Sequence, residues 1–422
     1  MYKVEKLNNG LKIVSEKNEF VRSIAFGIWI KSGTIFENYE NQGISHFIEH
    51  MLFKGTKNRD GKQLANEMDK IGGQINAFTS KEYTCFYTVT LDEHLEKSID
   101  ILSDMLFNSN FSSEDIIKEK SVVQEEINMC EDSPEDVVFD TLQKEIWGNN
   151  TLGLPILGTS DSINSLDRSK ILKYFNKRYI PSNVVISVVG SFEDEKLASL
   201  INKYFGNWQK KESSEAVADK IIYNKKCFNV YKDIEQIHLC MGFEGIKLGS
   251  DEAYSLAIVS TILGGGVSSR LFQKIREEKG LAYSIYSYAL NYTDAGLFTI
   301  CSAMNPKQFD QVFDLIIAEI EKLKTDLIKD EELSATKEQL KTNIILGLES
   351  TGSRMNSIGK SQLLFNKVKT ADDILEKVNE VTIDMVRKTI NKIFNLDKLS
   401  IGIVGRTDKL NLERIEKYVH KN

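Results

Sequence analysis

The sequence GISHFIEHMLFKG at residues 43–55 decides how the rest of this chain is interpreted. It has no proline, and glycine stands only at its two ends, so it predicts one short helix that ends at Gly55. Residues three and four positions apart share a helix face, which places His46, Glu49 and His50 together. Two imidazoles and a carboxylate on one face suit a divalent metal; the alternative is two ordinary core or surface histidines. With only five histidines in 422 residues, this spacing favours the metal site.

The residue types in this helix also suit catalysis. Neutral imidazole is a good zinc ligand, and a catalytic zinc keeps one position open and lowers the pKa of water there to about 7. Glu49, beside the two histidines, is placed to take the proton of that water as a general base. The apolar residues of the same stretch would hold the helix in a core: Phe47, Ile48, Met51, Leu52 and Phe53.

A third metal ligand is expected from a second helix, over residues 112–131. Glu119 and Glu126 lie about two turns apart on it and share a face with Val122 and Val123. A carboxylate on an apolar stripe is costly unless it is paired or bound to a metal, so both glutamates are candidates. The alternative is a solvated helix face on which two valines happen to lie.

Composition and charge limit the classes of function. The chain has 27% charged residues and four prolines, which is typical of a folded globular protein, and its length suggests about two to four domains. A net charge of −7 offers no basic face for nucleic acid. We find no signal-peptide segment and no apolar run of membrane-spanning length. Five scattered cysteines favour a reducing compartment, so we expect a cytoplasmic protein without membrane contacts.

An internal repeat organises the chain. The segment SIAF at residues 23–26 matches QIHL at 236–239, and VVG at 188–190 matches IVG at 403–405, at nearly the same spacing. The predicted helix at 112–131 likewise corresponds to a second one at 329–348. These matches indicate a duplication and an α+β fold class: two homologous α/β domains, each a mainly antiparallel sheet with helices packed on one face.

The repeat also suggests domain boundaries. We expect a metal-bearing domain at 1–212, a polar linker at 213–224 and a homologous domain at 225–422. In the second half, the position equivalent to the two histidines falls near Ser260–Gly265, where the sequence has no histidine, cysteine or acid. Only the first half is therefore expected to hold a metal. Residues 74–80 of that half, after a Gly-Gly pair, predict a strand.

Three segments of the first half resemble the pitrilysin (insulysin) family of zinc metallopeptidases, and in particular the bacterial relatives of the mitochondrial processing peptidase β-subunit. They are HFIEHMLFKGT at 46–56, which has the H-x-x-E-H order of the inverzincins, NAFTS at 76–80 and VVQEEI at 122–127. The resemblance implies one Zn²⁺ per chain, held by His46, His50 and Glu126. It also implies that Glu119 orients a ligating histidine and that Glu49 is the base.

The resemblance implies substrate contacts as well. Asn76, Ala77 and Phe78 would lie on an edge strand that pairs with an extended peptide, although this segment by itself predicts only a strand. In the second half, LGGGVSSRLF at 263–272 and REEKGLAY at 276–283 match the family's segments whose arginine and tyrosine reach the substrate. Arg276 and Tyr283 would stabilise the oxyanion that forms at a peptide carbonyl. The alternative is a surface arginine and a strand tyrosine.

The function implied is a zinc-dependent endopeptidase that acts on peptides or extended polypeptide segments. Longer relatives join two such units around a chamber, so a single unit implies a homodimer in which Arg276 and Tyr283 serve the partner's zinc site. The alternatives are a non-catalytic core subunit of the same fold, or a partner of a related peptidase chain.

Overall fold

The computed structural model describes residues 2–211, 220–326 and 328–419. Residues 213–219 of the expected linker lie outside the described residues. The contacts divide the chain into two compact units. The first comprises the described residues of Met1–Asn128, Leu154–Ala218 and Ile345–Thr370, and the second those of Met129–Gly153, Asp219–Ile344 and Ala371–Asn422.

The first unit is built on a six-stranded sheet in the order β1-β2-β6-β3-β5-β4. Its strands are β1 (Tyr2–Lys6), β2 (Lys12–Lys17), β3 (Ser23–Ile30), β4 (Gln74–Thr79), β5 (Thr84–Leu91) and β6 (Val184–Gly190). Neighbouring strands are antiparallel except β2 and β6, which are parallel. The predicted strand at 74–80 is β4, and it forms a free edge of the sheet.

Apolar residues on both faces of β3 explain its central position. Successive side chains of a strand point to opposite faces. Phe26 and Ile28 pack into a core beneath the helices, and Ala25 and Trp29 pack into a smaller core on the other face.

The helices that begin within residues 1–211 are α1 (Ile44–Leu52), α2 (Gly61–Lys70), α3 (Leu95–Asn108), α4 (Ser113–Asp132), α5 (Pro134–Trp147), α6 (Ser160–Ser165), α7 (Arg168–Arg178) and α8 (Asp194–Phe205).

The second unit is built on a five-stranded sheet in the order β7-β11-β8-β10-β9. Its strands are β7 (Cys227–Tyr231), β8 (Ile237–Glu244), β9 (Ala282–Asn291), β10 (Gly296–Met304) and β11 (Ser400–Gly405). A π-helix spans Phe272–Glu277. The later helices of the chain are α9 (Glu252–Gly264), α10 (Phe309–Thr325), α11 (Asp330–Gly347), α12 (Thr351–Phe365), α13 (Ala371–Glu380), α14 (Ile383–Ile393) and α15 (Leu412–Val419).

The two sheets have the same topology. If β1 is left out, each sheet has five strands. Numbered by their order along the chain, these strands lie side by side in the order first, fifth, second, fourth, third. In each sheet the first and fifth strands are parallel. β3 contains the segment at 23–26, and β8 begins at the second residue of its counterpart, Ile237. β6 and β11 contain the other pair of matched segments. The predicted fold class, two homologous α/β domains, is confirmed.

One helix lies on the far face of each sheet, which the sequence analysis did not anticipate. α12 packs on β3 and β6 of the first sheet, and α5 packs on β8 and β11 of the second. Each therefore groups with the unit whose sheet it covers, so the units differ from the expected continuous ranges 1–212 and 225–422. The physical reason is that β3 and β8 are buried on both faces along most of their length, so each sheet needs a covering layer on its far face as well.

No helix among the described residues is long and apolar enough to cross a membrane.

The contact between α12 and the sheet gives a stability prediction. A Cβ atom added at Gly359 would collide with the indole ring of the buried Trp29. We expect Gly359→Ala to lower the free energy of unfolding by about 1–3 kcal/mol, the usual cost of overpacking, measured by thermal or urea denaturation. Gly352→Ala in the same helix is the matched control, because its Cβ would lie 3.6 Å from Val89 in ordinary contact. Equal stability of the two variants would contradict this packing.

Candidate metal centre

The three predicted metal ligands converge in the first unit. α1 supplies His46 and His50, one turn apart, and α4 supplies Glu126. The Nε2 atoms of the two histidines lie 3.2 Å apart. Oε2 of Glu126 lies 3.8 Å from Nε2 of His46 and 3.5 Å from Nε2 of His50. Within the described residues, this is the one group of three or more such side chains with ligand atoms this close together.

Burial of their apolar faces holds the two helices in this arrangement. On α1, Phe47, Ile48 and Met51 are buried in the core of the first unit, so the remaining face presents the two histidines and Glu49 at half-buried positions. On α4, Val123 and Ile127 enter the same core, and Glu126 lies beside them at the edge of the buried stripe. The periodicity of each helix therefore places its ligands.

A buried carboxylate orients His50. Glu119 on α4 is only 2% exposed, and its Oε1 accepts a hydrogen bond from Nδ1 of His50 at 2.7 Å. Its other oxygen pairs with Nζ of Lys54 at 2.5 Å. Burial opposes ionisation of Glu119, but the bonds from His50 and Lys54 outweigh it and hold its pKa below the ordinary value. Because Nδ1 of His50 carries the proton, its Nε2 presents a lone pair to the cluster.

His46 is also a neutral ligand candidate. Burial, helped by the charge of His50, lowers the pKa of His46 to about 3, so the ring is uncharged at neutral pH. For His50 itself, burial favours the neutral ring, but Glu119, Glu126 and Glu49 outweigh it and raise the pKa. The cluster therefore combines imidazole nitrogens with nearby carboxylates, and this combination favours the binding of a cation.

The spacing and the unpaired atoms fit a metal ion. Bonds of about 2.0–2.1 Å in tetrahedral geometry place ligand atoms about 3.4 Å apart, close to the three separations in this cluster. Oε2 of Glu126 is buried and has no hydrogen-bond donor among the residues that the structure describes. Buried polar atoms normally have a partner, and a cation among these three atoms would provide one. Two imidazoles and one carboxylate are also the ligand set of a known class of catalytic zinc site.

Glu49 lies on the ligand-bearing face without belonging to the three-residue group. Burial raises its pKa, while a hydrogen bond from the hydroxyl of Thr79 and the charge of His50 act in the opposite direction. That bond joins Thr79 Oγ1 to Oε2 of Glu49 at 2.5 Å. A half-buried carboxylate with a raised pKa beside a metal cluster is a candidate for proton transfer.

Comparisons with known proteins place the whole chain among relatives of one peptidase family. Residues 12–160 match the model of the insulinase family, peptidase family M16, and residues 165–340 match the model described as the peptidase M16 inactive domain. An uncharacterized zinc protease of Bacillus subtilis is 43% identical over 397 residues, which cover 94% of this chain and 97% of that protein. This chain belongs to peptidase family M16.

Other M16 relatives cover the chain to the same extent. An uncharacterized zinc protease of Rickettsia felis is 36% identical over 96% of this chain and 98% of its own length. The crystal structure of a protease from Helicobacter pylori superposes with a TM-score of 0.90 at 23% identity, over 96% of this chain and 99% of that one. The resemblance to this family is confirmed, and the structural neighbour supports the two-unit fold.

The two M16 family models match different halves of the chain, and each half contains different predicted site residues. The metal cluster lies within the segment matched to the insulinase model, and the described part of the second half contains no comparable cluster. Arg276, in the π-helix, and Tyr283, in β9, lie side by side in the second unit, with the guanidinium carbon 5.3 Å from the ring centroid. Tyr283 is 75% exposed. The predicted metal ligands lie in the first unit.

The segment predicted to bind substrate lies on β4. Asn76 is exposed, and its Oδ1 accepts a hydrogen bond from the backbone N–H of Ala77 at 2.8 Å. The ring of Phe78 packs edge-on against Trp29, with centroids 5.7 Å apart, in the core on the far face of the sheet. The ring of Phe78 is thus engaged in packing, and its backbone lies along the free edge.

Three further residues of the centre were not singled out by the sequence analysis: Glu37, Lys54 and Thr79. Lys54 follows His50 by one turn, a spacing that is visible in the sequence. Thr79 ends the strand that contains Asn76, but its bond to Glu49 depends on how β4 packs against α1. Glu37 is 6% exposed and accepts hydrogen bonds from the N–H groups of Gly43 and Ser45, at 2.7 and 2.9 Å. Nothing in the sequence distinguishes it from other glutamates.

Glu37 gives a pH prediction. It satisfies two N–H groups at the N-terminus of α1 that have no partner within the helix. Burial nevertheless raises its pKa from 4.5 to about 7, against the bonds from Ser45 and Gly43 and the charge of Lys81. A raised pKa means that the folded protein holds the proton more tightly, so this contribution to stability is complete below pH 4.5 and is lost as the pH rises through about 7.

We therefore expect the wild type to lose stability relative to Glu37→Gln across this pH interval. The measurement is urea unfolding of chelator-treated protein at several pH values. Glu40→Gln, which removes an exposed carboxylate from the same loop, is the control. A stability difference between wild type and Glu37→Gln that does not change with pH would contradict the assignment.

Proposed function

We propose that this chain is a zinc-dependent endopeptidase that hydrolyses internal bonds of peptides or of extended, unfolded polypeptide segments. The observation that carries the proposal is the convergence of His46, His50 and Glu126 beside Glu49, a carboxylate on the same helix face as the two histidines. Membership of peptidase family M16 and the description of its relatives as zinc proteases support it.

The chemistry divides between the metal and the protein. Zn²⁺, when bound, supplies a Lewis acid that polarises the scissile carbonyl and lowers the pKa of the attacking water. Glu49 takes the proton of that water and gives it to the leaving amine. Its raised pKa suits a group that must both accept and return a proton. Glu119 keeps His50 in the tautomer whose Nε2 is free for the metal.

The edge strand supports an extended substrate. Among the described strands, β4 pairs only with β5, so the other side of its backbone is available to a peptide strand. Asn76, Ala77 and Phe78 would form this pairing surface. Pairing by backbone hydrogen bonds requires an unfolded substrate segment and involves few of its side chains. This favours a broad set of peptide substrates over one folded protein.

Glu49→Gln tests the general base. The amide keeps the shape of the carboxylate but cannot accept a proton, so we expect full zinc content and a fall in turnover of at least about 100-fold. Zinc is measured by elemental analysis and turnover with a quenched fluorescent peptide. Glu125→Gln, which changes an exposed glutamate of α4, should behave as wild type. Normal turnover by Glu49→Gln would exclude this role, and a wild type inactive with bound zinc would exclude the peptidase.

We further propose that the enzyme is a cytoplasmic homodimer with a closed chamber, in which Arg276 and Tyr283 of one subunit stabilise the oxyanion at the zinc site of the other. The resemblance to longer relatives with two such units supports this arrangement. So does the exposure of Tyr283, since its phenol is not committed to packing within its own unit. None of the five cysteines, all of which lie in the described residues, forms a disulfide bond, which supports a reducing compartment.

Mixing two inactive variants tests the dimer. In a hybrid of Glu49→Gln and Arg276→Ala chains, a site shared between subunits would contain one intact combination of base and arginine. We therefore expect activity to reappear when the two variants are unfolded together and refolded, and not when each is refolded alone. If Arg276 serves its own chain, every site in the mixture lacks one residue, and the mixture stays inactive.

A further inference from the structure

The hydroxyl group of Thr79 is held against the proposed catalytic base. Thr79 is the last residue of β4, and its Oγ1 lies 2.5 Å from Oε2 of Glu49 on α1. Side chains alternate along a strand, so Thr79 shares a face with Ile75 and Ala77, which pack against the core beneath the helices. The strand therefore aims this hydroxyl at α1, and Phe78 points to the opposite face.

The direction of this hydrogen bond is fixed by its neighbours. An ionised carboxylate can only accept, so the Thr79 hydroxyl is the donor. The neighbouring hydroxyl of Thr84, 3.3 Å away, donates its own proton to the carbonyl oxygen of Ser32 at 2.9 Å. Thr84 therefore does not compete for Glu49. Within the described residues, Thr79 is the hydrogen-bond donor to this carboxylate, and it engages one of its two oxygens.

We propose that Thr79 is a positioning residue for proton transfer: its hydroxyl fixes one oxygen of Glu49 and leaves the other to accept the proton of water. This inference rests on the proposed peptidase function. It also connects substrate binding with the general base. Thr79, which holds Glu49, belongs to β4, and the peptide would pair with the free edge of β4. Thr79 does not itself touch the reacting atoms.

Thr79→Val tests the proposal, because valine keeps the shape of threonine and removes the hydroxyl. A hydrogen bond to a charged group has the strength to change a rate about 10- to 100-fold, so we expect kcat to fall by that factor. KM and zinc content should stay at the wild-type values, since the backbone of β4 and the three metal ligands are unchanged. Thr79→Ser, which keeps the donor, should recover most of the lost kcat.

Thr88→Val is the matched control. Thr88 lies opposite Ile75 on the neighbouring strand β5, and its buried hydroxyl has no hydrogen-bond partner in the described part of the chain. The substitution removes a hydroxyl from the same hairpin without touching Glu49, so kcat should not change. If Thr79→Val does not fold with a full complement of zinc, Thr79→Ala makes the same comparison.

The outcomes separate this inference from the proposed function. If the wild type cleaves peptide, Glu49→Gln does not, and Thr79→Val has the wild-type kcat, the role of Thr79 is excluded and the peptidase stands. A fall in kcat for Thr79→Ser as large as for Thr79→Val would also exclude it, because the loss would then come from packing of the methyl group. An increase in KM without a change in kcat would assign Thr79 to substrate pairing instead. A wild type inactive with bound zinc would remove the peptidase itself.

Discussion

The hydrogen bond between Glu119 and His50 is the contact on which the candidate metal centre depends. It joins the two helices that carry the ligands, and it does so with a carboxylate that is almost wholly buried. Burying that charge is unfavourable unless it is compensated, and here His50 and Lys54 compensate both oxygens. The same bond fixes the histidine tautomer. The geometry of the cluster is thus linked to the stability of the packing between α1 and α4.

The duplication explains why one fold contains two differently equipped halves. Both sheets have the same strand order, and the corresponding strands β3 and β8 are followed along the chain by the helices α1 and α9. α1 alternates apolar residues with histidine and glutamate, whereas α9 is apolar on nearly all sides and ends in a run of glycines. Fold and site are therefore separate properties: the strand order persists in both halves, and the candidate metal ligands on α1 and α4 occur in one of them.

Much of the site was accessible from local periodicity. The helix predicted at residues 43–55 places His46, Glu49 and His50 on one face whatever surrounds it, because that follows from the geometry of a helix. The repeat likewise predicted two similar sheets, since matched strand segments occur at both ends of each half. The position of Glu126 was different: spacing along α4 left Glu119 and Glu126 equivalent, and only the family resemblance separated their roles.

What the sequence by itself determined, then, is which side chains share a helix face, that the chain is duplicated and that the second-half position equivalent to the two histidines, near Ser260–Gly265, has no histidine, cysteine or acid. Tertiary structure decided that Glu126 points toward the Nε2 atoms of the two histidines and that Glu119 binds Nδ1, on the other side of the His50 ring. It also decided that Thr79 reaches Glu49, that Glu37 caps α1, and that α5 and α12 cover the far faces of the two sheets. The reason is physical: periodicity fixes directions within one element, whereas these contacts depend on the distance and rotation between elements, which packing of the whole core sets.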